Sequence, residues 1–228
     1  MKYILMDIEG TTTSISFVHD VLFPYSKERI EAFIKAQINE ESIQDILNQT
    51  KKTVLEEDQK MISDQEAILQ LIDWIKIDRK HPALKKIQGM IWTVGYHSGE
   101  LKGHLYSDVP DALEKWKNEG ISLGIYSSGS VEAQKVLFGY SLYGDLTHYF
   151  SHNFDTHIGQ KREVDSYKKI STELKIDPFK ILFLSDISEE LDAAKLAGFQ
   201  TIQVVRFGEV PYKGHKQVRT FQDIRTFA

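Results

Sequence analysis

The chain has no cysteine. Disulfides, thiol nucleophiles and cysteine-ligated zinc or iron–sulfur centres are therefore excluded, and the absence fits a cytoplasmic protein without demanding one. It has no basic block either. Its 28 Lys and Arg stand against 33 Asp and Glu, a net charge of −5, which argues against nucleic acid as the main partner. No apolar run approaches the ~18 residues needed to cross a bilayer. Met1-Lys2 leads directly into the first apolar stretch and leaves no room for a signal peptide. Repeats and low-complexity tracts are absent, and nothing in the pattern demands more than a monomer. What remains is 228 residues, 41% of them hydrophobic, enough to bury a sizeable core as one large or two small domains. The expectation is a soluble cytoplasmic monomer that binds neither nucleic acid nor membrane.

What is present begins at the first residues. Tyr3 to Met6 is a short apolar run, and because Gly10 and three threonines follow at once it suits a buried strand better than a helix. Asp7 stands where that strand would end, Glu9 lies two residues on, and Gly10 lets the backbone turn sharply. One acid could attack or hold a metal while the other carries a proton. For an isolated pair of this kind a surface turn after an edge strand is the commoner explanation.

From Ser16 to about His104 the pattern is helical. Ile30, Phe33, Ile34 and Ile38 share one helical face. A thin stripe of Ile43, Ile46 and Leu47 runs through the polar stretch 39–60. Ser63 and Glu66 make a capping box ahead of Ile68, Leu71, Ile72 and Ile75. Pro82 opens a helix carrying Leu84, Ile87, Ile91 and Val94, with Gly99 as its stop. From about Asp108 helices and strands alternate. Pro110, Leu113 and Trp116 precede a strand over 121–126 that delivers Ser127-Ser128-Gly129-Ser130. A loop over 156–160 leads to Lys161 and a helix with Tyr167, Ile170 and Leu174. The strand Ile181–Leu184 ends in Ser185-Asp186, and Thr201 to Val205 is the last convincing strand. The alternation predicts an α/β fold, a mostly parallel sheet with helices on both faces. Segments 1–15 and 105–228 form its core, and 16–104 is an all-helical insertion.

Three strands therefore end in chemistry, at Asp7 and Glu9, at Ser127 and Ser128, and at Asp186. In parallel strands these groups converge on one sheet edge. Asp7 and Asp186 supply hard oxygen ligands for Mg²⁺, which takes one or two carboxylates plus waters and a substrate phosphate. The serine turn at a helix start offers hydroxyls and N–H groups to an anion, and Lys161 adds a positive charge. Each has a plainer reading: a cap and turn for the serines, a solvated lysine, an N-cap aspartate. Their joint order is what speaks against chance.

D-I-E-G-T-T, I-Y-S-S-G-S, the lysine of G-Q-K-R-E, and F-L-S-D resemble the four ordered motifs of the haloacid dehalogenase superfamily. Asp7 to Val18, Leu22 to Tyr25, Tyr126 to Lys135, Phe154 to Lys161 and Ser166 to Ile170 resemble its enolase-phosphatase branch, the acireductone synthases of methionine salvage. Glu9 separates that branch from the many superfamily phosphatases with aspartate there. The resemblance implies a Rossmann-like doubly wound core with a helical cap that closes over the site. It also implies one Mg²⁺ per subunit, held by Asp7, Glu9 and Asp186. Asp7 would be the nucleophile. Glu9 would aid the metal through side chain or carbonyl and could protonate the leaving alkoxide. Ser127 and Ser128 would hold substrate oxygens, and Lys161 the phosphate or enolate. Glu190, four residues after Asp186, would bond Lys161 or orient a metal-bound water.

The implied reaction enolises 5-methylthio-2,3-dioxopentyl phosphate, then dephosphorylates it to 1,2-dihydroxy-5-methylthiopent-1-en-3-one. Glu9, His19, His97 and His104 are the candidates for the enolising base. Trp92 and Tyr96 could line a pocket for the methylthio tail. A Mg²⁺-dependent phosphatase of another small ester remains open. A dehalogenase, which needs no metal, fits the acids less well. A receiver domain is about half this length, and a non-catalytic scaffold would not need every motif residue.

Overall fold

A computed structural model of the chain describes residues 1–225. Residues 226–228, the last three of the expected core segment, lie outside the described residues. In chain order the elements are β1 (Tyr3–Met6), one helical turn α1 (Ile15–Phe17) running into a π-helical turn (Val18–Leu22), α2 (Phe23–Ala36), α3 (Glu41–Asp58), α4 (Asp64–Lys76), α5 (Pro82–Ser98), α6 (Val109–Asn118) and β2 (Ser122–Tyr126). After these come α7 (Val131–Gly139), β3 (Phe150–Phe154), α8 (Val164–Leu174), β4 (Ile181–Ser185), α9 (Ser188–Leu196), β5 (Gln200–Val204) and β6 (Lys216–Val218). The chain divides into two units, Met1–Ile15 with everything from Lys102 onward, and Ser16–Leu101.

The first unit is built on a six-stranded sheet in the order β3-β2-β1-β4-β5-β6, every pair parallel. β1 is buried along its whole length, as a central parallel strand covered on both faces must be, so its sequence is a continuous apolar run without alternation. Side chains two apart share a face. Tyr3 and Leu5 accordingly pack with Ile181 and Phe183 of β4, and with Tyr167, Ile170 and Leu191 from α8 and α9. Strand order reverses beside β1, with β2 and β3 on one side and β4 to β6 on the other, and ligands of such sheets bind at the carboxyl ends of strands at that reversal. Asp7, Ser127 and Asp186 occupy the residues just after β1, β2 and β4.

Two strands lie outside the sequence reading. β3 is an edge strand whose only buried residue is Phe154, so it lacks the apolar run that betrays a strand. β6 has three residues with one buried. The sheet thus continues past the strand read as its last. The boundary of the helical segment also differs, at Leu101 and not at His104. Gly103 exchanges backbone bonds with the 140–142 turn (its N–H to the Tyr140 carbonyl at 2.8 Å, the Leu142 N–H to its carbonyl at 2.9 Å), and His104 Nδ1 meets Thr13 Oγ1 at 2.9 Å. These bonds hold 102–104 in the first unit.

The second unit packs α2 to α5 around Ile30, Ile34, Ile43, Ile46, Leu47, Leu71, Trp74 and Ile87, all but fully buried. Val94, expected on the apolar face of α5, is 54% exposed, and Ile38 lies beyond the end of α2. The capping box forms as read. Glu66 N–H donates to Ser63 Oγ (3.3 Å), and Ser63 N–H donates to Glu66 Oε2 (2.9 Å). That backbone bond, joined by Lys60, pulls the Glu66 carboxyl down to about 2. Ser63→Ala is expected to cost about 1 kcal/mol, read as a lower urea midpoint with unchanged slope. An unmoved midpoint would mean that the cap contributes nothing.

Candidate active site

β1 delivers Asp7 into the interior. Asp7 is 3% exposed, and its N–H still donates to the Leu184 carbonyl (2.9 Å), so the strand's last ladder bond fixes the base of the side chain. The turn that follows is closed from within. The Ile8 carbonyl accepts from the amides of Thr11 (3.2 Å), Thr12 (2.9 Å) and Thr13 (2.9 Å), Gly10 N–H donates to the Thr13 carbonyl (2.8 Å), and Gly10 takes φ 74°. Thr12 Oγ1 lies 3.2 and 3.3 Å from the Ile8 and Asp7 carbonyls. The threonines that look like loop filler in the sequence are therefore buried turn-formers.

Lys161 is not a solvated lysine. It is 6% exposed, and its Nζ stands 2.6 Å from Asp7 Oδ1 and 2.7 Å from Glu190 Oε2. Two tyrosines anchor the loop that carries it. Tyr126 OH donates to the Gly159 carbonyl (2.9 Å) and Tyr167 OH to the Lys161 carbonyl itself (2.6 Å). Ser185 Oγ donates to the same Glu190 oxygen (2.9 Å). Burial alone would push the ammonium down, but the two carboxylates outweigh it and hold Lys161 protonated well above its ordinary value. Burial drives both carboxyls the other way. Asp7 is pushed up by desolvation and by Glu9 against the pull of Lys161, and Glu190 by desolvation and then Asp7.

Asp186 follows β4, where the Gln203 amide holds its carbonyl (2.9 Å). The N-cap position of α9 is Ile187, with no side-chain cap, so the N-cap reading of Asp186 does not apply. Its Oδ1 is buried without a hydrogen-bond partner. Desolvation and the Asp7 charge raise its carboxyl to about 7. A Cβ on Gly10 would collide with the Asp186 carboxylate, so glycine is required there for the Asp7 turn to lie against it. An orphaned carboxylate oxygen beside a second buried carboxylate fits a hard divalent cation, whose charge would replace the missing partner. Among the described residues no three His, Asp or Glu side chains gather as a ready-made cage. The donor set is thus a two-carboxylate one, the kind that suits Mg²⁺ with waters and a phosphate.

Ser127 is buried at the end of β2. Its N–H donates to the Phe154 carbonyl (3.2 Å) and its Oγ accepts from Gly129 N–H (3.0 Å). Ser130 is the side-chain cap of α7, accepting from Ala133 N–H (3.3 Å). Ser128, on the same turn, is exposed, and Glu9 is half-buried, close enough for its charge to act on Asp7. His104 is engaged by Thr13 Oγ1 and by Ser14 N–H (3.3 Å). His19 and His97 are exposed residues of the helical unit. In that unit Trp92 donates its indole N–H to the Leu22 carbonyl (2.9 Å), and Tyr96 is 2% exposed, so packing already occupies both.

Residues 1–198 match the family model of the haloacid dehalogenase-like hydrolases. The chain is 50% identical to the enolase-phosphatase E1 of Klebsiella oxytoca, across 98% of this chain and 96% of that protein. It is also 50% identical to that of a Picosynechococcus species, across 97% and 96%. Among solved structures, the UTR4 protein of Saccharomyces cerevisiae superposes with a TM-score of 0.79 at 32% identity, covering 98% of this chain and 99% of that one. With the strand-end acids, the buried lysine and whole-length identity in agreement, the chain belongs to the haloacid dehalogenase-like hydrolases, and within them to the enolase-phosphatases.

Proposed function

We propose that this protein is a Mg²⁺-dependent acireductone synthase. It enolises 5-methylthio-2,3-dioxopentyl phosphate and then dephosphorylates the product to 1,2-dihydroxy-5-methylthiopent-1-en-3-one. The observation that carries the reading is the buried Asp7–Lys161–Glu190 ion-pair chain at the end of β1, set beside the unpartnered Asp186 oxygen. Asp7 is the nucleophile. Its carboxylate attacks phosphorus, the bond from phosphorus to the substrate oxygen breaks, and Glu9 returns a proton to that oxygen. Water then attacks the phosphorus of the aspartyl-phosphate and gives its proton back to Glu9, the bond from phosphorus to Asp7 breaks, and phosphate leaves with Asp7 regenerated. Lys161 keeps Asp7 ionised and pointed, and neutralises charge that develops on the phosphoryl oxygens. Ser127 and Ser128 hold substrate oxygens on the turn that precedes α7.

Asp7 and Asp186, with the Glu9 carbonyl or carboxylate, would hold one Mg²⁺ per subunit, which supplies charge neutralisation and polarises the substrate oxygens when bound. The core is Met1–Ile15 with Lys102–Ala228, and Ser16–Leu101 is the cap. The protein acts as a cytoplasmic monomer on a small phosphorylated diketone.

The test is a phosphate-release assay on that diketone, with the conjugated enediol followed by its absorbance. Phosphate and enediol are expected together. Chelation with EDTA is expected to abolish both, and added Mg²⁺ to restore them. Hydrolysis of simpler esters with no turnover of the diketone would instead establish a phosphatase of another small ester.

A further inference from the structure

An arginine outside all four motifs grips the turn that follows Asp7. Arg206, just past β5, has a side chain 6% exposed. Its Nε and one terminal nitrogen both donate to the Thr11 carbonyl, at 2.9 and 2.7 Å. Its other terminal nitrogen takes both oxygens of Asp108, at 2.9 and 2.7 Å, and the Arg219 carbonyl at 3.3 Å. The guanidinium carbon lies 4.3 Å from the Tyr106 ring centre and 4.7 Å from that of Phe221. Asp108 is itself fixed by the Phe221 N–H (2.6 Å). Tyr106 N–H donates to the next carbonyl of the turn, that of Thr12 (3.1 Å).

The inner bonds of the turn converge on Ile8, so two of its outward carbonyls, those of Thr11 and Thr12, need partners elsewhere. Arg206 and Tyr106 supply them. A single buried cation placed on a backbone carbonyl is an expensive way to satisfy one acceptor, because it needs its own counter-ion and two aromatic walls. A packed apolar cluster would stabilise the fold as well. What the fork adds is direction, since a planar guanidinium fixes the carbonyl in position and angle.

We infer that Arg206, with Asp108 as counter-ion, is a positioning residue. It locks the 10–13 turn so that Glu9 keeps a fixed place relative to Asp7 and Asp186. This rests on reading Asp7 as the phosphate acceptor and this turn as part of the metal site. Its hydrogen bonds go to Thr11, Asp108 and Arg219, and of these the Thr11 carbonyl is the one that belongs to the turn.

Arg206→Lys retains the charge opposite Asp108 but cannot fork onto Thr11. The variant is expected to fold with wild-type circular dichroism, to lose roughly 30-fold in kcat with KM within about threefold, and to bind Mn²⁺, counted as free ion by electron paramagnetic resonance, about tenfold more weakly. If Arg206→Lys does not fold, Arg206→Met with Asp108→Asn removes both charges, keeps an acceptor for Phe221 N–H, and is held to the same criteria. A folded variant with wild-type kcat and Mn²⁺ affinity overturns the inference. Should the wild type hydrolyse no phosphate ester, the catalytic reading fails, and Mn²⁺ affinity alone decides for or against Arg206.

Discussion

Asp7→Asn is expected to release phosphate at least about 10⁴-fold more slowly than wild type, because the neutral amide that replaces the proposed nucleophile does not attack phosphorus. The same substitution should leave the fold intact and raise its melting temperature slightly. Asp7 is 3% exposed and burial pushes its carboxyl up, so holding it ionised costs the folded state energy that a neutral amide of the same shape does not. Glu190 remains 2.7 Å from Lys161, so the buried cation keeps a counter-charge. The two effects therefore have opposite signs, as at sites where function is maintained against stability. Stopped-time phosphate assays and thermal melts check them together. A variant that is inactive because it has melted would contradict the account. If enediol phosphate still accumulates, enolisation does not need the nucleophile.

Lys161→Met is expected to be damaging in both respects. Loss of the ammonium removes charge neutralisation at the phosphoryl group, a decrease on the order of 10²–10³ in kcat. It also leaves Asp7 and Glu190 buried with no cation, and removing one partner of a buried pair costs about 3–5 kcal/mol. That penalty depends on pH in a definite direction. With Lys161 gone, both carboxyls rise further above their unfolded values of 3.8 and 4.5. A carboxyl raised in the folded state is stabilising while protonated, below the unfolded value, and that stability is lost as pH rises through the folded value. The cost of Lys161→Met should therefore be larger at pH 8 than at pH 5, by urea melts at both. An equal cost would mean that the carboxyls do not titrate upward.

Legibility of the site followed how local each signal is. Asp7 was readable because four buried residues run straight into it and Gly10 turns the chain after it. Ser130 as a cap and the Ser63–Glu66 box were readable because each bond spans three residues. Lys161 was different. Nothing in its own stretch marks it as buried, and its neighbours Asp7 and Glu190 lie 154 and 29 positions away in the sequence. Only the motif order pointed to it, and Glu190 was reached from its spacing to Asp186.

The strand β3 was illegible because an edge strand needs little apolar sequence. Arg206 and Asp108, 98 positions apart, carry no local mark at all. Val94 shows the opposite failure, a residue in apolar register on α5 that the packing leaves exposed. The π-helical turn Val18–Leu22 before α2 carries no sequence signature.

The central claim is that Asp7 takes the phosphoryl group. The most direct measurement is rapid acid quench of the working enzyme with a phosphate ester it turns over, followed by mass spectrometry of the peptide containing Asp7. The account predicts a transient phosphoryl adduct on Asp7 that decays with turnover and is absent from Asp7→Asn. Turnover with no adduct on Asp7 at any quench time, with inversion in place of retention of configuration at phosphorus, would contradict it.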